Sequence, residues 1–362
     1  MPMPMLLLPT DPRLSYFSPA GTVPAGGDAL RLERFPAAAY AALTGQIGPL
    51  ANCRSSAGCS IWLATDAPEV TLHLERLRHH QPNPCHVALE AVRGDERWES
   101  LSADLRELEG TVAVRLSTGL ERGAGLAVVA LWLPVISTCA CAGISVAAGS
   151  RVEAHAPPPA RWLAIGDSLT QGFIVSSPLQ TWVHRLGRKW TMPVTNLGVG
   201  GIRIEPSVFG PSLAARSYDL VTIALGSNHA WRDSEAAQTG ARAAELAALA
   251  AAGTHRRIAW LMPPWKPFEI NKGPPDFAGV PLDAEAASRM VRVRAAIRGA
   301  LAPFAARIQL IEDLMPNDYR LLPDGLHPQA HGAARYAEAL ATMLEPPVPV
   351  SDDDGDAHPR VP

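Results

Sequence analysis

Two hydrophobic periods meet in this sequence at a run of three prolines, Pro157 to Pro159, and that change of period constrains the fold more than any single motif. Before the prolines, apolar residues alternate with polar ones. Val70, Leu72 and Leu74 enclose Thr71 and His73; Val87, Leu89 and Ala91 repeat the pattern, and so do Val112, Val114 and Leu116. Successive strand side chains point to opposite faces, so such runs bury one face and wet the other. Gly94-Asp95, between an alternating run and Trp98-Glu99-Ser100, suits a hairpin turn. The apolar run Leu126 to Val135 reads as a buried strand. Short strands separated by turn signals predict an antiparallel, jelly-roll-like β-sandwich over residues 12–150, with residues 1–11 as an N-terminal extension.

Residues 151–160 read as a stiff proline-rich linker. From Arg161 short apolar runs alternate with helical stretches. Strands are expected at Arg161–Ile165, Pro193–Leu197, Asp219–Leu225, Arg257–Met262 and Arg307–Ile311. Helices are expected near Gln180–Trp190, from a Ser234 cap to about Ala252, from an Asp283 cap, and over about Gln329–Leu344. In the Asp283 helix Met290, Val293 or Arg294, Ile297 and Leu301 recur on one face. Strand–helix alternation implies an α/β domain over residues 161–344, with a parallel sheet covered by helices on both faces. Ligands in such sheets sit beyond the carboxyl ends of the strands. The acidic, proline-rich residues 345–362 are expected to be disordered.

Composition narrows the function classes. The chain has 362 residues, 47% of them hydrophobic, enough to bury a core without disulfides or a structural metal. A net charge of -3 argues against a nucleic-acid binder, which needs a basic face. The five cysteines are odd in number and lack zinc-knuckle spacing, so reduced buried thiols are expected. No run approaches the ~20 apolar residues of a membrane span. The opening Met-Pro-Met-Pro-Met-Leu-Leu-Leu-Pro lacks the basic region and the long apolar run of a signal peptide, so a cytoplasmic location is expected.

Four short segments fall at predicted strand ends. Gly166-Asp167-Ser168-Leu169 can expose a serine hydroxyl at a strand-to-helix turn and aim free N–H groups at an anion. Asn196-Leu197-Gly198-Val199-Gly200-Gly201 lets backbone approach a ligand closely, without the spacing of a dinucleotide fingerprint. Gly226-Ser227-Asn228-His229 offers a carboxamide donor for an oxyanion. Asp324-Gly325-Leu326-His327 places a general base and its orienting carboxylate three residues apart. Each alone also fits a plainer role: a helix cap, a strand-to-loop turn, an Asn in a turn, a capping Asp beside a surface His. A metal site on His327 and His331 is disfavoured, because Pro328 follows the first and no Glu takes the metalloprotease position. Together the four occur in one order and supply different parts of one reaction.

In these four blocks the second half resembles the SGNH, or GDSL-type, hydrolase superfamily over about Arg161 to Leu344. The resemblance implies a flavodoxin-like three-layer α/β/α fold with five parallel strands, and a serine esterase or acyltransferase without cofactor or metal. It puts the nucleophile on Ser168 and the last-block Asp and His on Asp324 and His327. It puts the oxyanion donors on the N–H groups of Ser168 and Gly201, with Gly200 one step away, and on Asn228. Two departures stand out: His229 where the family usually has Asp, and Gly200 where Ser is common. A β-rich domain ahead of such a domain is similar in arrangement to carbohydrate esterase family two. The expected substrate is a small acyl ester, acetyl above all, of a carbohydrate or other small-molecule alcohol. Trp231 and Trp265 are candidate substrate-binding residues with His229 and Gly200; a tryptophan face suits a sugar ring or an acyl slot, and packing under a loop suits it equally. The Pro263–Pro281 stretch is a candidate lid. An acyltransferase with the same residues, and a non-catalytic carbohydrate-binding or interaction protein, remain as alternatives. The front domain is left to bind substrate, wall the cleft or mediate homo-oligomerisation.

Overall fold

The computed structural model describes residues 3–345, apart from 81, 82, 122, 124 and 278. Most of the tail expected to be disordered, from residue 346 on, lies outside the described residues.

The alternating half forms two antiparallel sheets. One runs in the order Thr22–Pro24, Leu30–Leu32, Ser137–Val146, Glu69–His79, Gly110–Ser117, and the other in the order Val152–Glu153, Ser60–Thr65, Ala127–Trp132, Ala88–Arg93, Glu96–Leu101. The inward residues of both sheets, among them Val70, Leu72, Leu74, Leu89 and Val129, share one core. Gly94 and Asp95 form the two-residue turn between paired Arg93 and Glu96, with Gly94 at φ +58°. Met5–Leu7, read from the sequence as part of an extension, pairs along Ser137–Val146. Short edge strands such as Ser15–Phe17 carry too few residues for their alternation to be read in advance.

Beyond the prolines, five parallel strands are ordered Val194–Gly198, Trp162–Gly166, Leu220–Ala224, Arg257–Leu261, Ile308–Ile311. Alternation along Trp162–Gly166 divides the core in two. Leu163 and Ile165 face one helical layer, and Trp162 and Ala164 the other. The first layer contains the helix Ala284–Leu301, capped by Asp283, whose carboxylate accepts from the N–H groups of Glu285 and Ala286 at 3.1 and 3.2 Å. Met290, Val293, Ile297 and Leu301 are its buried stripe. Ser234 is not a cap: it lies inside the short helix Asp233–Ala236, and the chain breaks before Thr239–Ala252. In the strand order, the first strand in sequence sits between the second and the third. Connections leave it in opposite directions, which opens a crevice beyond its carboxyl end.

The two halves are not separate bodies in the core. Helices Ala37–Ala42 and Ile47–Cys53 leave the sandwich, and Phe35, Ala39, Leu43 and Cys53 pack into the core of the α/β sheet. Leu43 and Cys53 look unremarkable in sequence; their partners lie more than a hundred residues away.

Candidate active site

The strand Trp162–Gly166 ends at the crevice, and the next turn presents Ser168. Asp167 caps this turn by accepting from the Leu169 N–H at 3.0 Å. The Ser168 N–H then has no hydrogen-bond partner among the described residues. From the other end of the sheet, the turn before helix Ala330–Met343 delivers Asp324 and His327. One Asp324 oxygen accepts from the backbone N–H groups of Leu326 and His327 at 2.9 and 2.7 Å, so the carboxylate shapes its own turn. The other oxygen lies 2.7 Å from His327 Nδ1, and His327 Nε2 lies 2.8 Å from Ser168 Oγ. The carboxylate fixes the imidazole tautomer: Nδ1 carries the proton and Nε2 is free to accept from the serine hydroxyl. Burial pushes the Asp324 carboxyl up, but hydrogen bonds and charge from His327 outweigh it and hold the group below the usual carboxylate range.

The glycine block closes the other side. The Gly200 N–H donates to Gln171 Oε1 at 2.6 Å, so it is occupied. Gly201 has φ +76°, open space at its Cβ position, and an N–H without a partner among the described residues. Of the two glycines, Gly201 alone offers a free donor. A Cβ on Gly200 would fall 2.7 Å from Asn52 Nδ2 and against the Phe173 ring, which leaves no room for the serine common there in the resembling family. Asn228 Nδ2 donates to the Ile202 carbonyl at 2.9 Å, and its Oδ1 accepts from Trp231 Nε1 at 3.0 Å. Trp231 thereby determines which end of the carboxamide is the donor, and the second Nδ2 hydrogen remains.

The remaining sequence candidates divide. Trp231 lines the cleft with Ser168, Asn228 and His327, but one face of its ring already stacks on Phe277, 6.1 Å between centroids at 18°. Phe277 comes from the expected lid stretch and also stands edge-on to His327 at 5.6 Å. Trp265 does not line the cleft. Its neighbour does: the Lys266 side chain is buried, and Nζ donates to the Leu326 carbonyl at 2.7 Å. His229 is turned away. It accepts from the Ile204 N–H at 3.0 Å and donates Nδ1–H to the Glu235 carbonyl at 2.8 Å, so it ties two loops together and leaves no ring nitrogen for substrate. Burial keeps this imidazole neutral by lowering its pKa.

Lys266 is the residue that motif reading passes over. Only three lysines occur among 32 basic residues, and this one follows a strand end. Burial pushes its pKa down to about 8, against the attraction of Asp167 and Asp324. Burial pushes Asp167 up in turn, with Lys266 opposing. The ammonium therefore sits among the two carboxylates and the carbonyl next to His327. Arg294 steadies the loop by donating to the Pro263 and Pro264 carbonyls and to both Glu269 oxygens, at 2.6 to 3.0 Å.

The cleft beside Ser168 is narrow, about 20 Å³. Larger hollows of about 330 and 410 Å³ lie between the two halves, and none of Ser168, Asp324 and His327 lines them. Among the described residues no group of three or more His, Cys, Asp or Glu is placed to hold a metal, and no helix is long and apolar enough to cross a membrane.

The crevice at the switch point of a 2-1-3-4-5 parallel sheet, with these blocks around it, defines an α/β domain of the lipase and acylhydrolase type. Residues 164–335 match the GDSL-like Lipase/Acylhydrolase family. No curated protein matches the sequence. Solved structures share the architecture across both halves. The salicylyl-acyltransferase SsfX3 from a tetracycline biosynthetic pathway superposes with a TM-score of 0.72 at 19% identity, over 95% of this chain and 99% of that one. An acetyl xylan esterase, Est2A, from the rumen bacterium Butyrivibrio proteoclasticus gives 0.57 at 12% identity, over 94% and 97%. A family two carbohydrate esterase from Clostridium thermocellum gives 0.55 at 12%, over 91% and 97%. At such identities the likeness is one of fold.

Proposed function

We propose that the protein is a serine esterase that cleaves small acyl esters, acetyl above all, of a carbohydrate or other small-molecule alcohol. The observation that carries this is the unbroken chain Asp324–His327–Ser168, at 2.7 and 2.8 Å, beside two unpartnered backbone N–H groups and the Asn228 carboxamide. His327 Nε2 takes the hydroxyl proton as Ser168 Oγ bonds to the ester carbon, and Asp324 stabilises the imidazolium. The carbonyl pair moves to oxygen, held by the N–H groups of Ser168 and Gly201 and by Asn228 Nδ2. The tetrahedral adduct collapses, the ester C–O bond breaks, and His327 returns the proton to the leaving alcohol. Water then attacks the acyl-serine through the same base, releasing the acid and free Ser168. The narrow cleft walled by Trp231 and Phe268 favours a short acyl group.

A second reading is acyl transfer to an alcohol instead of water. Phe173 and Phe277 flank the His327 ring at 5.3 and 5.6 Å, and apolar walls on the base disfavour an ordered water. The likeness to an acyltransferase over nearly the whole chain is consistent with it. The third reading, a carbohydrate-binding or interaction protein without catalysis, leaves the hydrogen-bonded triad unexplained.

The test is Ser168→Ala with p-nitrophenyl esters of increasing chain length. We expect turnover to fall about 10⁴-fold or more with thermal stability retained, highest wild-type activity on acetate, and wild-type Ser168 labelled by a fluorophosphonate. Unchanged turnover in the variant would remove the reading. A product ester formed when an alcohol is added, at the expense of acid, would select the acyltransferase reading.

A further inference from the structure

Arg34 belongs to the first half of the chain, yet its guanidinium ends inside the glycine block of the second. The side chain is buried, at 1% exposure. Nη1 donates to the Gly198 carbonyl at 2.9 Å and to the Asn196 carbonyl at 3.4 Å; Nη2 donates to Gly198 at 2.8 Å and to the Asn52 carbonyl at 3.2 Å. All four Nη hydrogens thus go to backbone carbonyls, and Nε has no partner. No carboxylate forms an ion pair with it among the described residues. Burying a cation without a counter-ion is unfavourable, and burial pushes the Arg34 pKa down. A chain that needed only to join two packed surfaces has cheaper means, since apolar residues of similar volume are often as stable.

What the cation touches points to its use. Asn52, 3% exposed, accepts from Arg34 through its carbonyl and donates Nδ2–H to the Gly200 carbonyl at 3.0 Å. Gln171, fully buried, holds the Gly200 N–H at 2.6 Å and is itself anchored to Ser55 Oγ and the Val135 carbonyl at 3.0 and 2.9 Å. The peptide groups from Gly198 to Gly200 are therefore gripped from three sides, mostly by the first half. The next N–H in the chain, that of Gly201, is left free. Gly201 has a left-handed backbone and open space around it, so nothing in its own residue would hold that N–H in place.

We infer that Arg34 is a positioning residue for ester cleavage: from the β-sandwich half it holds the Gly198–Gly201 turn so that the Gly201 N–H is fixed for the developing oxyanion, with Asn52 as its relay. The inference rests on the esterase reading. Its physical content is preorganisation, since a donor already in place costs no reorganisation when charge develops. The guanidinium fork also brings a positive charge to the rim of that hole without neutralising it against an acid.

The experiment uses the full chain, with p-nitrophenyl acetate and a fluorophosphonate as probes. Arg34→Lys keeps the charge but loses the planar fork. We expect its kcat to fall about 10²-fold, as for loss of an oxyanion donor, with KM within about twofold and with slower Ser168 labelling. In Arg34→Ala, added guanidinium ion is expected to restore part of the turnover without changing KM. Asn52→Leu, which removes only the contact to Gly200, covers the case in which Arg34 variants do not fold; about tenfold loss of kcat is expected there. A merely structural role would lower thermal stability and leave kcat per folded molecule, and the effect of guanidinium, at wild-type levels. Either folded variant with wild-type kcat overturns the inference while wild-type labelling leaves the esterase reading standing. A wild type that neither labels nor turns over ends both.

Discussion

Both halves bury ionisable groups, and the cysteines of the first are treated differently from the site residues of the second. All five cysteines lie in the first half, and all are buried and unpaired. Burial pushes the Cys53, Cys59 and Cys139 thiols up to about 12, and those of Cys85 and Cys141 to about 11. Such thiols behave as small hydrophobes. In the second half Asp167, Lys266 and His327 are buried too, with Asp324 half-buried, but they lie among one another. The comparison teaches that burial alone silences a titratable group, whereas a complementary neighbour opposes the effect of burial and aims the group.

Removing Lys266 is the strongest way to break that contrast. Lys266→Met deletes the hydrogen bond to the Leu326 carbonyl and the charge near Asp324. We expect kcat to fall at least about tenfold with little change in KM; wild-type kcat in a folded variant would reduce Lys266 to filler. The same residue predicts a pH effect on stability. Its native pKa of about 8 lies below the ordinary 10.5. Between those values the unfolded chain holds a proton that the native chain has lost, so this group makes stability rise with pH across that window, and the gain is lost as pH falls through about 8. Unfolding free energies measured from pH 7 to 10 should show wild type gaining on Lys266→Met.

Trp231→Phe sharpens the picture at smaller amplitude. Phenylalanine keeps an aromatic face toward Phe277 but cannot donate to Asn228 Oδ1. If the indole orients the carboxamide, kcat falls about tenfold with KM unchanged. If the ring serves as a stacking platform for substrate, KM moves instead, and the comparison of the two constants decides. The smallest effect is expected from thiol chemistry. Iodoacetamide at pH 8 should leave the native protein unmodified and fully active, because thiols held at 11 to 12 supply almost no thiolate. Rapid native-state alkylation would show that the first half opens more readily than its packing implies.

Much of this was legible along the chain. Period-two alternation marked the sandwich because each strand pays its way by burying one face. The strand–helix rhythm marked the parallel sheet, and Ser168, Asn228, Asp324 and His327 stood at strand ends, where turn residues with reactive side chains are conspicuous. The hairpin at Gly94 and the Asp283 cap followed from local chemistry that needs no distant partner. Other features had no such local sign. Trp231 gave no hint of its bond to Asn228, and His229 looked like a substrate contact until both ring nitrogens were found on backbone groups.

What the linear sequence determined, then, is the set of elements and the chemical inventory, because hydrophobic period and turn chemistry act over a few residues. Tertiary structure alone decided which inventory meets. Arg34 and Gly198 are 164 positions apart, Gln171 and Ser55 are 116, and Lys266 reaches His327's neighbour across 60. Contacts at that range depend on how whole layers pack, and no residue carries a local mark of the partner it will find.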